Sequence, residues 1–219
     1  MGPRHYLQIV EHYEKRLGEF GPTHRGVDWP KAEDVDVRNA VMLGLCEAPS
    51  GRRGRASLLD LGCGIGLLPD FLAARGRLGE FDYRGVDLSA RMVSAAAARH
   101  PGLAFEARDV LEAPFADGAF DYVVMNGVLT VRASVAEDDM EAFAMRLVSA
   151  AFRAARHGIA FNVMSAHVDW RRDDLFHWPF DRCAAFLKRE CSRHVAFRAD
   201  YGLYEYTAYV YREPNRAAA

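Results

Sequence analysis

The chain has 219 residues, 50% hydrophobic and 26% charged, which supplies a packed core for one large domain and excludes disordered and fibrous classes. Lys and Arg number 28 against 30 Asp and Glu, for a net charge of −2, so there is no global positive field to hold nucleic acid. No apolar run reaches the roughly 18 to 20 residues of a membrane helix, the start MGPRHYLQIVEHYEKR is too charged for a signal peptide, and Cys46, Cys63, Cys183 and Cys191 contain no C-x-x-C pair; a cytoplasmic protein with reduced thiols and no membrane partner is expected.

Residues 1–50 read as an N-terminal helical cap. One helical pattern runs through Tyr6, Ile9, Val10, Tyr13 and Leu17 and a second from about Lys31 to Cys46, joined by the segment Gly21 to Pro30. No strand signal precedes residue 57. From there, over residues 51–219, short β-branched or aliphatic runs alternate with helical patterns, the mark of an α/β domain with a mostly parallel sheet. The strands are expected at Ser57 to Leu61, Tyr83 to Leu88, Leu103 to Asp109, Phe120 to Asn126 and Gly158 to Met164. Helices are expected at Leu67 to Arg75, Ser89 to Arg99, Ser134 to Ala155 and Phe180 to Cys191, the third with a Ser134–Glu137 capping box. The last two runs, His194 to Asp200 and Tyr204 to Arg212, are too close for a parallel crossover, so they predict an antiparallel hairpin.

The sharpest local signal is Leu58-Leu59-Asp60-Leu61-Gly62-Cys63-Gly64-Ile65-Gly66-Leu67, a buried strand that empties into a glycine turn and then a helix. Such a turn brings backbone close to a ligand at the carboxyl end of the first strand. Leu67 stands where the dinucleotide form G-x-G-x-x-G needs glycine, and no Gly-Lys-Ser/Thr follows, so neither a dinucleotide fingerprint nor a P-loop is present. The second strand ends in Asp87-Leu88-Ser89, a carboxylate suited to the two hydroxyls of a ribose, with Ser89 able to cap the next helix. Asp109-Val110 follows the third strand, where the edge and face of an adenine would lie. Asn126 ends the fourth strand at the same rim.

These motifs resemble those of the class I S-adenosylmethionine (SAM) dependent methyltransferases over roughly residues 52 to 212. The resemblance implies a Rossmann-like seven-stranded sheet with an antiparallel C-terminal hairpin, SAM as cofactor and a small-molecule substrate. It assigns cofactor contacts to Asp60, Gly62, Cys63, Gly64, Gly66, Asp87, Leu88, Asp109, Val110, Asn126 and Trp29. Gly26-Val27-Asp28-Trp29, Met125-Asn126-Gly127-Val128-Leu129-Thr130, Ala160-Phe161-Asn162-Val163-Met164-Ser165 and Tyr201-Gly202-Leu203-Tyr204-Glu205-Tyr206-Thr207 resemble a group of small bacterial proteins labelled as SAM-dependent methyltransferases. Some enzymes of similar appearance are cyclases, which close SAM's own aminobutyrate chain into azetidine-2-carboxylate and release methylthioadenosine. The sequence therefore carries methyl transfer as its first reading and cyclisation as its alternative.

Candidate catalytic residues are Asn126, Asn162 and Tyr13. Asn126 either faces substrate or bonds local turn backbone, and Asn162, inside an apolar strand, is either a structural tie or a pocket residue that orients an amine. Tyr13, with Tyr6 and Trp29, either packs the cap or closes over the sulfonium. Asp121 reads as a solvated or capping residue. His167, Asp169, Asp173, Asp174 and His177 match no zinc or magnesium spacing and read as a solvated loop, and Arg52, Arg53 and Arg55 read likewise; no metal is expected.

Overall fold

A computed structural model of the chain describes residues 5–47 and 54–215. Helix α1 (Leu7–Phe20) leads through a short 3₁₀ turn to α2 (Ala32–Leu43). The sheet then begins with β1 (Ala56–Leu61), followed by α3 (Leu67–Ala74), β2 (Phe81–Asp87), α4 (Ala90–Arg99), β3 (Ala104–Ala107), β4 (Phe120–Met125), α5 (Glu137–Ala154) and β5 (Ala155–Ser165). The two-residue β6 (His177–Trp178), α6 (Phe180–Glu190), β7 (His194–Arg198) and β8 (Glu205–Tyr211) complete it.

The strand order is β3-β2-β1-β4-β5-β8-β7, with β6 paired to β5 off this path. Pairing is parallel from β3 through β5, and β8 runs antiparallel between β5 and β7. The hairpin forms as expected because six residues span the gap between β7 and β8, too few for a crossover. The added β6 makes eight strands where seven were expected, with Met164 opposite His177 and Ser165 opposite Trp178. Two residues are too short a run to show a periodicity.

Alternate residues of the strands point into two apolar layers. Leu59, Leu61, Val123 and Met125 pack under α5 and α6 with Phe143, Leu147, Phe186 and Leu187, whereas Leu58, Tyr122 and Val124 face Leu68, Phe71, Leu72, Met42 and Leu43 from α3 and α2. Helix α1 is anchored at both ends, Tyr6 and Ile9 in the first layer and Leu17 against Ile65 and Met92. Ser89 caps α4 by accepting from Met92 N–H at 3.2 Å, as the sequence predicts. The capping box on α5 does not form: the helix starts after Ala136 without a side-chain cap, and Ser134 Oγ instead donates to Gln8 Oε1 of α1. Glu137, Asp138 and Asp139 fill the first turn, where their charge suits the positive helix end. Of the arginine run, Arg52 and Arg53 lie outside the described residues; Arg55 pairs with Asp82 at 2.9 Å.

Candidate active site

The carboxyl ends of β3, β2, β1 and β4 line up along one rim, and the residues just past them face a single cavity. It encloses about 1110 Å³ of space not filled by atoms, its open mouth included. Every expected cofactor residue except Gly66 lines it: Asp60, Gly62, Cys63, Gly64, Asp87, Leu88, Asp109, Val110, Asn126 and Trp29.

The loop after β1 turns tightly because Gly62, Gly64 and Gly66 all take left-handed φ values, +80°, +52° and +79°. Gly62 N–H and Cys63 N–H both donate to Val86 O, which ties the turn to β2. A Cβ on Gly62 would sit 2.1 Å from Val128 Cγ2, so the loop presses directly on the segment after β4. Gly66 stands behind the loop, where its carbonyl meets His100 Nε2 at 2.9 Å; it shapes the turn without facing the cavity.

Asp87 accepts from Gly64 N–H and Ser89 N–H, each at 2.9 Å and each on a different carboxylate oxygen. Those bonds orient both oxygens, and the Leu88 backbone adds a third donor to the carboxylate. Burial raises the Asp87 pKa above the ordinary carboxylate value, opposed by these backbone donors. Asp109 lies two residues past the end of β3, accepting from Leu111 N–H at 3.0 Å and from Tyr6 OH of the N-terminal segment at 2.8 Å. Tyr6 stacks on Phe143 at 4.7 Å, and with Ile9, Leu147 and Val110 it walls an apolar slot beside Asp109.

Asp60 is buried beneath the loop and accepts from Tyr83 OH at 2.7 Å. Burial pushes its carboxyl up to about 7, against the lowering effect of the Tyr83 bond. Burial also pushes the Cys63 thiol up, reinforced by Asp60 and Asp87, so this cysteine is a small wall residue and not a nucleophile.

At the β4 tip Tyr13 and Trp29 close the cavity together. Tyr13 OH donates to Gly127 O at 3.3 Å, and burial raises its phenol pKa further. The Trp29 ring lies against Gly127, where a Cβ would meet it at 3.2 Å. The Arg38 guanidinium lies over that ring, 5.1 Å from its centroid. Asn126 Nδ2 donates to Asn39 Oδ1 at 2.9 Å. Asn39 was not among the sequence candidates although it is almost fully buried and lines the cavity. Its signal was a lone amide four residues after Val35 on the buried side of α2.

Three expectations are corrected. Asn162 does not reach the cavity: its Oδ1 accepts from Gly127 N–H at 2.7 Å, its Nδ2 donates to Glu205 Oε1 at 2.9 Å, and it is fully enclosed. Both ends of its amide are spent on the tie, so it is not placed to orient a ligand amine. Asp121 is buried within β4, accepting from Ser57 N–H and Oγ at 2.8 Å and from Arg156 Nη1 at 2.6 Å. The carboxylate staples β4 to β1, which a residue-by-residue reading has no means to see. His177 is likewise buried, in β6, with Nδ1 on Ser165 O at 2.7 Å.

A loop of this form after β1, followed by an acid at the end of β2 and another past β3, defines a SAM-dependent transferase of the Rossmann-like class. A methyltransferase domain family matches residues 58–151. Rv1506c of Mycobacterium tuberculosis, named as a methyltransferase, is 40% identical over 158 residues, covering 70% of this chain and 92% of that protein. Magnesium protoporphyrin IX methyltransferase from Synechocystis PCC 6803, solved with S-adenosylhomocysteine, superposes with a TM-score of 0.63 at 15% identity over 94% of this chain and 99% of that one. A SAM-dependent methyltransferase from Leishmania major gives 0.64 at 16%, over 95% and 83%. At such identities the solved structures speak for the fold, and the mycobacterial relative for the family. The chain belongs to the class I SAM-dependent methyltransferases, transferases whose cofactor is SAM. No helix among the described residues is long and apolar enough to cross a membrane.

Proposed function

We propose that the cavity binds SAM along the strand tips and transfers its methyl group to a small molecule admitted at the β4 end. The observation that carries this reading is the convergence of the glycine turn, Asp87 and Asp109 on one cavity roofed by residues of α1. The residues fit the cofactor: a loop in which glycine alternates with Cys63 and Ile65, a carboxylate with both oxygens oriented, and an apolar slot beside a second carboxylate. When bound, SAM supplies a methyl group already activated by its sulfonium.

The protein's part is alignment and exclusion of water. Asp87 accepts from the ribose hydroxyls on a carboxylate already oriented by backbone donors. Asp109 and Val110 take the adenine edge and face, with Tyr6, Ile9 and Leu147 around the ring. Tyr13 and Trp29 present aromatic faces where a cation is held, and Tyr13, its hydroxyl committed to Gly127 O, acts as a closing group and not as a base. Asn162 is a positioning residue that fixes Gly127 and thereby Asn126. Residues 1–50 act as a lid over the cofactor domain of residues 51–219, since Tyr6 just before α1 bonds to Asp109, and Glu14 and Tyr13 of α1 bond to Ser89 and Gly127, across the mouth.

The test is product analysis. Incubation with SAM and a panel of small acceptors is expected to give S-adenosylhomocysteine only when an acceptor is present, read by mass spectrometry. Methylthioadenosine formed from SAM alone would replace methyl transfer by ring closure. Hydrogen exchange tests the lid: Tyr6 to Leu17 and the backbone at Trp29 should gain protection on addition of S-adenosylhomocysteine.

A further inference from the structure

Two polar atoms at the β4 end have no partner among the described residues. Asn39 Nδ2 and Asn126 Oδ1 are both buried and both unbonded, although their residues share the hydrogen bond between Asn126 Nδ2 and Asn39 Oδ1. Both residues line the cavity. Rotating the two amides together exchanges the roles and still leaves one donor and one acceptor. Buried amides without partners are costly, and a leucine on the apolar side of α2 would avoid that cost. The pair is therefore built for a group that arrives from outside the chain.

Strand order says which end of the cavity this is. Asp109 follows β3 and Asn126 follows β4, with β2 and β1 between them, so the amides stand three strand spacings, roughly 14 Å, from the adenine slot. The two amides carry no charge, and between them they offer one donor and one acceptor. Behind them Arg38 Nε bonds to both oxygens of Glu205 at 3.1 and 3.0 Å, while Arg38 Nη1 is itself buried without a partner among the described residues. A carboxylate would satisfy only the donor and an ammonium only the acceptor, whereas a neutral group with one acceptor and one N–H or O–H would have both its bonds made.

We propose that Asn39 and Asn126 anchor the methyl acceptor, gripping a small uncharged molecule by a carboxamide, lactam or similar donor–acceptor group. The inference rests on the reading of this cavity as the site for SAM and acceptor. With α1 and Trp29 in place both amide atoms are shut from solvent, so the acceptor enters before the roof closes. Asn39, supplied by the cap and not by the nucleotide-binding sheet, is the specificity-determining residue.

The test uses ¹⁵N-labelled full-length protein saturated with S-adenosylhomocysteine and titrated with 2-pyrrolidinone, a lactam, in parallel with acetate and with methylammonium. The side-chain amide resonances of Asn39 and Asn126 should move with the lactam and at least about fivefold less with either ion. Asn39→Leu should abolish the movement at Asn126. Should that protein fail to fold, the isosteric Asn39→Asp, which removes the donor, should weaken the lactam about tenfold. Calorimetry with S-adenosylhomocysteine and with methylthioadenosine, which lacks the amino-acid end, separates the two sources of such a group. A tenfold loss confined to S-adenosylhomocysteine in the Asn39 variant would give the amides to the cofactor's amino-acid end and overturn the proposal. So would equal shifts with acetate, or none with roughly 100 mM lactam, a concentration at which even weak fragments bind. Failure of S-adenosylhomocysteine to bind the unaltered protein would instead overturn the reading of the cavity itself.

Discussion

The two halves of the strand rim hold their polar groups in opposite ways. On the β1–β2–β3 side nearby backbone orients two of the carboxylates, Asp87 by Gly64 and Ser89 and Asp109 by Leu111, while the Tyr83 and Tyr6 hydroxyls bond Asp60 and Asp109. On the β4–β5–β8 side a chain of side chains does the work, from Asn39 to Asn126 and from Gly127 through Asn162 and Glu205 to Arg38. The first half is a turn geometry that presents acceptors to a ligand. The second is a buried network in which each member depends on distant residues, which makes it rigid when complete and costly when broken.

That contrast predicts different failures. Asn162→Leu should have the largest effect, since it strands Gly127 N–H in the interior and takes one donor from the buried Glu205 carboxylate, which keeps Arg38; a loss of about 4 kcal/mol in urea unfolding is expected. A midpoint that hardly moves would show that the amide half is not a scaffold. Gly62→Ala should cost about 3 kcal/mol, from the left-handed φ and from overlap with Val128 Cγ2, and Val128→Ala should restore the part due to overlap. Asp87→Ala should weaken S-adenosylhomocysteine by about 2 kcal/mol in calorimetry while the unfolding midpoint shifts little. A large stability loss there would erase the distinction between the halves.

The Asp60–Tyr83 pair gives a pH signature to the acid half. Its folded pKa of about 7 exceeds the ordinary 3.8, so the folded chain holds a proton that the unfolded chain has lost. Stability from this group is complete below the unfolded value and disappears as pH rises through about 7. The slope is at most about 1.4 kcal/mol per pH unit. Asp60→Asn should flatten this dependence in unfolding curves between those limits, and an unchanged slope would locate it elsewhere. Tyr6→Phe, the mildest change, removes only the hydroxyl on Asp109 and should weaken S-adenosylhomocysteine by about 1 kcal/mol.

The same division explains what the sequence makes legible. Strand ends, the glycine turn, Asp87 and Ser89 are encoded over a few residues or by one β–turn–α unit, and they stand within a residue or two of where periodicity and turn chemistry put them. Asn39 meets Asn126 across 87 positions, Asn162 meets Glu205 across 43, and Asp121 meets Ser57 across 64. None of these partners carries a local mark. A buried Asn or Asp declares only that it needs a partner, so Asn162 and Asp121 could be noticed in the sequence but not assigned. His177 failed for the related reason that a two-residue strand has no pattern of its own.

Gly127 sets a limit on retargeting the enzyme. Its φ of +84° bars an ordinary side chain, its N–H is held by Asn162, and its carbonyl accepts from Tyr13 and from Thr130 at 2.9 Å. Every handle of that residue is taken, so a library randomised through 126–130 should return mostly unfolded clones. Diversity placed at Val27, Trp29 and Asn39, on the cap side of the same opening, leaves the hydrogen bonds of Gly127 in place. It is there that new acceptors should be sought.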